Sequence, residues 1–245
     1  MMAPPERGPE RDAALLAMLP HVPFDGWSRR ALAMGLADLG APADDADLLF
    51  PGGAVAMVEA FCDLADRQMT EATTALELSG KGLTARVRAV IALRLAQARP
   101  HKEAVRRAVA VLALPMHSRQ AVGCTARTVD AIWYAAGDRS ADFSWYTKRA
   151  ILAAVYGATL LYWLRGVPGS HLPGNQGSDQ ELDQASNQGS DQRMDRLGST
   201  NADDADVATL AFLDRRLAGI GRFGKLRSRV GAALRRVTPA LRSPA

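Results

Sequence analysis

Residues 150–164, AILAAVYGATLLYWL, leave a helix no polar face. Ile151, Leu152, Val155, Thr159, Tyr162 and Trp163 recur at helical spacing on more than one side of such a helix. At ~1.5 Å per residue the run covers about 22 Å, short of the ~30 Å hydrocarbon core of a bilayer. A helix of this kind has to be enclosed by other elements or to line an apolar cavity. The chain must therefore supply helices to surround it.

It does so in both directions. Helices are expected at Arg11–Leu19, stopped by Pro20 and Pro23, and from an N-cap at Ser28 through Leu39, ended by Gly40. A short one fits Ala43–Phe50. Val55, Val58, Phe61, Cys62, Ala65, Met69, Ala72 and Leu76 then trace a 3.6-residue stripe through Ala54–Leu78. Thr84–Ala98, Lys102–Leu114 and Arg119–Ala136 follow, separated by Pro100 and Pro115. The aromatic segment begins near Asp142, and Ala205–Leu217 supplies another helix. No period-2 segment and no βαβ pattern is found, so the expected class is all-α.

Two stretches depart from this rhythm. Residues 168–206 contain NQGSDQ twice, at 175–180 and 187–192, with eight acids, two arginines and little to bury. That composition predicts a disordered insertion. From Gly219 onward there are seven basic residues and no acid; without them 23 basic residues face 26 acidic ones. Phe223, Leu226, Val230, Leu234 and Val237 share one helical face there, with Arg227, Arg229, Arg235 and Arg236 around it. A basic amphipathic helix on a membrane surface has this pattern. A nucleic-acid-binding tail or an unstructured cationic end is the alternative.

The N-terminal stretch 25–61 has the layout of a helix-turn-helix and resembles the DNA-binding part of TetR-family repressors. Its would-be recognition helix, ADDADLLF, carries Asp44, Asp45 and Asp47 without a Lys or Arg. DNA binding requires phosphate charge to be neutralised, and these carboxylates oppose it. Arg29 and Arg30 on the preceding helix are too few to reverse that, so no nucleic-acid partner is expected.

Seven of the eight Trp and Tyr residues lie between Trp133 and Trp163. Trp145 and Tyr146 are adjacent and point about 100° apart on a helix, so one core seam cannot bury both. An interface takes at least one of them, unless both pack into a dimer core. HVPFDGWS (21–28), LALPMH (112–117), VDAIWYAAGDRSADFSWYTKRAILAAVY (129–156) and FLDRR (212–216) together resemble the COQ9 family of ubiquinone biosynthesis accessory proteins. The resemblance covers roughly residues 13–220, apart from the insertion. It implies a homodimeric TetR-like fold whose C-terminal helical domain holds an isoprenoid quinone or phospholipid ligand. Ile151, Leu152, Val155, Tyr156, Thr159, Tyr162 and Trp163 are then the lipid-binding set. It also implies presentation of a polyprenyl-quinone intermediate to the diiron demethoxyubiquinone hydroxylase, through Asp130, Ile132, Trp133, Trp145 and Tyr146. The family's Thr-Glu-Leu is Thr159, Leu160, Leu161 here, which puts any role for that carboxylate in doubt.

Other signals are weaker. GIGRFG at 219–224 satisfies GxGxxG outside any βαβ unit. His21, His101, His117 and His171 are scattered, so no metal site is expected. Asp138 and Asp142 sit beside Arg139 in a loop, where capping accounts for them. Cys62 and Cys124 lie far apart without CxxC spacing, which suits a reducing compartment rather than a structural disulfide.

The resulting expectations are a degenerate helix-turn-helix at 10–50, a lipid-binding helical domain at 51–218 and a membrane-binding tail at 219–245. The protein is expected to be non-catalytic and cofactor-free, to work at a membrane surface, and to sit in a bacterial cytoplasm, peripheral on the inner face of the membrane. The rivals are a ligand-responsive regulator of the TetR type and an isoprenoid-modifying enzyme.

Overall fold

A computed structural model describes residues 5–138, 145–166 and 206–219, with only the backbone of Trp145. Ten α-helices and two short 3-10 turns occupy the described residues, and none of these residues is in a strand. The first is α1 (Pro9–Met18), followed by the single turn α2 (Val22–Asp25), α3 (Arg29–Asp38) and α4 (Asp45–Leu49). The longer α5 (Gly53–Thr73), α6 (Leu83–Ala98), α7 (Lys102–Leu112) and α8 (Ser118–Ala135) follow. Then come α9 (Trp145–Arg165) and α10 over 206–219. The insertion up to residue 205, the loop 139–144 and the basic tail from 220 on lie outside the described residues. The tail's Phe223, Leu226, Arg227, Arg229, Val230, Leu234, Arg235, Arg236 and Val237 lie there too.

Local chemistry places the boundaries. The Ser28 side chain accepts from Ala31 N at 3.2 Å and caps α3 as its sequence position predicts. Gly40, at φ 70°, closes the same helix, with Ala41 N donating to Leu36 O at 2.9 Å. α5 stops at Thr73, short of the expected Leu78. Thr73 and Thr74 turn their hydroxyls back onto Met69 O and Glu71 O, both at 2.7 Å, where such back-bonding loosens a helix.

The described chain divides into two compact units, one through Tyr156 and one from Gly157 on. In the first, α1, α3 and α4 make the helix-turn-helix, and α5 packs against α1, α6, α7 and α8. Leu15, Met18, Leu19, Val22, Leu32, Met57 and Val58 form the core between α1, α3 and α5. Trp27 closes its edge, donating its indole N–H to Ala104 O at 3.0 Å. Arg67 reaches from α5 to Asp12 at 2.7 Å and to Asp63 at 3.1 Å, joining α5 to α1. Burial presses the Asp63 carboxyl upward, yet hydrogen bonds from Arg7 and Arg67 outweigh it and hold Asp63 below its usual value. In the second unit Tyr162 stacks on Phe212 with ring centres 4.5 Å apart, and Trp163 donates to Asp206 Oδ1 at 3.2 Å.

Candidate functional site

The apolar character of α9 is resolved unevenly along its length. Leu152, Val155, Tyr156, Thr159 and Trp163 are buried, whereas Ile151 is 37% exposed and Tyr162 half-buried. The helix is thus enclosed on more than one side, as an all-apolar sequence requires.

Between α8 and the start of α9 runs an open groove of about 510 Å³. Its walls are Ala121, Val122, Thr125, Ala126 and Val129 from α8 and Ala150 and Ala153 from α9, with Asp130 and Arg149 at the rim. The small side chains leave the space, and the Arg149 guanidinium donates to Asp130 across it. None of the seven residues expected to hold lipid lines this groove; they lie on other faces of α9.

Of the expected partner-binding residues, Asp130 is exposed and held by Arg149. Ile132 is fully buried within the chain. Trp133 is half-buried, and its indole N–H has no hydrogen-bond partner. Tyr146 is 78% exposed. The Trp145 side chain lies outside the description. Tyr134 (69% exposed) and Val122 (70%) add to this aromatic and apolar surface. The sequence reading missed both, although Tyr134 directly follows Trp133.

A second feature lay hidden in the sequence. Arg94 of α6 is buried with its Nη2 2.9 Å from Asp66 Oδ1 of α5, and Thr128 of α8 donates to Asp66 Oδ2 at 3.0 Å. The Tyr156 hydroxyl completes the cluster beside the Arg94 guanidinium. Burial pushes Asp66 up to about 6, with the Arg94 charge and the Thr128 hydrogen bond opposing. Burial also raises the Tyr156 phenol. The attraction of Asp66 and Tyr156 outweighs desolvation and keeps Arg94 charged. Asp66 lies four residues from Cys62 on the apolar stripe of α5, and a carboxylate in such a stripe is the signal that could have disclosed the pair.

At the other end of the fold, Arg29 and Arg30 are engaged, Arg29 with Asp47 at 2.7 Å and Arg30 with Asp25 at 3.1 Å. Among the described residues no group of three His, Cys, Asp or Glu side chains is placed to hold a metal, and no helix is long and apolar enough to cross a membrane.

Residues 118–167 match the COQ9 family model. The chain is 34% identical over 194 residues to the ubiquinone biosynthesis protein COQ9, mitochondrial, of Drosophila melanogaster, covering 73% of this chain and 59% of that protein. The human protein of the same name is 31% identical over 157 residues, covering 62% and 49%. The Schizosaccharomyces pombe protein is 34% identical over 152 residues, covering 60% and 58%. The chain spans between about half and three-fifths of the length of these curated relatives. A crystal structure of a TetR transcriptional regulator from Nitrosomonas europaea superposes with a TM-score of 0.57 at 18% identity, over 86% of this chain and 97% of that one. That likeness shows the fold, which is all-α and TetR-like. The expected resemblance to the COQ9 family is borne out. The bacterial cytoplasmic location is not, because these relatives are named as mitochondrial proteins.

Proposed function

Because this chain is a relative of the COQ9 proteins, we propose that it is a non-catalytic, lipid-binding accessory protein of ubiquinone biosynthesis. It shelters the tail of a polyprenyl-quinone intermediate among its C-terminal helices and presents the ring to the demethoxyubiquinone hydroxylase. The observation that carries this reading is the apolar groove between α8 and α9, the two helices that also carry Trp133, Tyr134 and Tyr146. Its volume falls within the ~300–1,000 Å³ of small-molecule sites, and its walls contain almost nothing that would hold water. Aromatic side chains on the same helices suit a partner surface, since they contribute large contact area at low entropic cost.

Such a device has a physical reason. Each CH₂ of an isoprenoid tail gains about 0.8 kcal/mol on leaving water, so an apolar enclosure must replace the membrane before the ring can reach a soluble active site. Ala121, Val122, Ala126, Val129, Ala150 and Ala153 offer that enclosure in the groove between α8 and α9. The basic tail would hold the protein at a lipid surface, and a homodimer would present two such grooves.

The test is lipid extraction and mass spectrometry of the purified protein, with capture of the hydroxylase by wild type and variants. A bound isoprenoid lipid and hydroxylase capture are expected. Tyr146→Lys should weaken capture about tenfold or more, as loss of an interface anchor does, and leave the melting temperature unchanged. A protein that carries no lipid and takes none from liposomes would sink the proposal.

A further inference from the structure

Cys62 and Cys124, 62 positions apart in sequence, meet in the fold. Cys62 is on α5 and Cys124 on α8, and the two thiols lie close enough to influence each other. One helical turn further along, Thr128 Oγ1 donates to Asp66 Oδ2 at 3.0 Å, and those two residues are also 62 positions apart. α5 and α8 are therefore in contact at both levels. The Asp66–Thr128 bond and the Arg94–Asp66 pair hold the helices together beside the sulfurs.

The second observation is a cation on the sulfur itself. Arg127 Nη2 lies 3.3 Å from Cys124 Sγ, and Glu59 Oε1 holds the same nitrogen at 3.6 Å. Guanidinium charge at that distance favours the thiolate. The neighbouring Cys62 thiol and Arg127 together draw Cys124 below its ordinary value against burial, Glu59 and Asp66. The Cys124 sulfur and burial push the Cys62 thiol up, which keeps it protonated. One sulfur is therefore poised as a nucleophile and its neighbour as the resolving thiol. Cys62 is half-buried and Cys124 only 4% exposed, so access is limited to a small reagent.

We propose that Cys62 and Cys124 are an oxidisable dithiol, converted by hydrogen peroxide to a disulfide that joins α5 to α8. The Cys124 thiolate attacks the peroxide oxygen, its sulfur becomes a sulfenic acid, and the departing hydroxide takes a proton to leave as water. The Cys62 sulfur then attacks the sulfenic sulfur, giving up its proton, and the S–S bond forms with release of a second water. Two thiols lose two electrons and two protons in all, and one hydrogen peroxide is reduced.

The test uses the full-length protein and hydrogen peroxide. Titratable thiols should fall from two to none, with a mass loss of about two units and a non-reducing peptide map linking the Cys62 peptide to the Cys124 peptide. Dithiothreitol should reverse all three changes. Cys62→Ser should arrest the reaction at Cys124 sulfenic acid, trapped by dimedone, and Arg127→Gln should slow disulfide formation several-fold. Thiols that stay titratable in peroxide, a sulfinic acid on Cys124 with Cys62 still free, or disulfides only between chains would each overturn the proposal. Because the mapping on wild type decides it, a Cys62→Ser protein that fails to fold leaves the outcome readable.

Discussion

At the scale of single residues, the consequential group is Asp66. Its carboxyl titrates near 6 in the folded protein because it is buried, against an unfolded value near 3.8. An acid whose pKa rises on folding binds more protons folded than unfolded, so its contribution to stability falls as pH climbs from about 4 to about 6. At about 1.4 kcal/mol per pH unit, that amounts to about 3 kcal/mol across the window. Above it Asp66 is charged and depends on Arg94. Asp66→Asn should abolish this slope and cost little at neutral pH, because the fold already favours the neutral side chain over the buried carboxylate in spite of Arg94. Urea unfolding of both proteins from pH 4 to 8 checks this. Parallel curves would mean that Asp66 does not titrate in that range. Nothing in the sequence announced the pair, because α5 and α6 bring Asp66 and Arg94 together by packing rather than by spacing.

At the scale of elements, the register of α1 on α3 depends on Gly35. A Cβ there would stand 2.6 Å from Met18 N and 2.8 Å from Met18 Cα, and backbone atoms cannot swing away as a side chain can. Gly35→Ala should therefore force α3 off α1 and cost about 1–3 kcal/mol, despite alanine's higher helix propensity, as a fall in melting temperature would show. Ser28→Ala removes the cap of the same helix and should cost about 1 kcal/mol. A stabilised Gly35→Ala protein would mean that the helices meet less closely. The cap and the Gly40 stop could be read along the chain, since both are local hydrogen-bond chemistry. The close approach at Gly35 could not, because a glycine inside a helical pattern gives no sign of what lies opposite. The turn α2 escaped notice for a related reason: Pro23 was read as a helix stop, whereas at a helix's first positions it is tolerated.

At the scale of the molecule, a TetR-like fold carries a helix-turn-helix whose available charge is spent internally. Arg29 and Arg30 are bound to Asp47 and Asp25, and Asp44 and Asp45 stand on or beside α4. Duplex DNA should show no retardation at 50 mM salt or below, where phosphate contacts are strongest; a shift that disappears with added salt would instead support a regulator. The sequence by itself determined that the chain is helical, that 150–164 must be enclosed, and that the aromatic stretch belongs with the COQ9 proteins. Periodicity, caps and a dense motif are properties of neighbouring residues and survive in one dimension. Only the tertiary structure decided that Ile132 faces inward, that small side chains of α8 and α9 open a groove, and that Cys62 meets Cys124. Those depend on how far each helix is rotated about its axis and on which helix packs against it. Packing of the whole chain sets both.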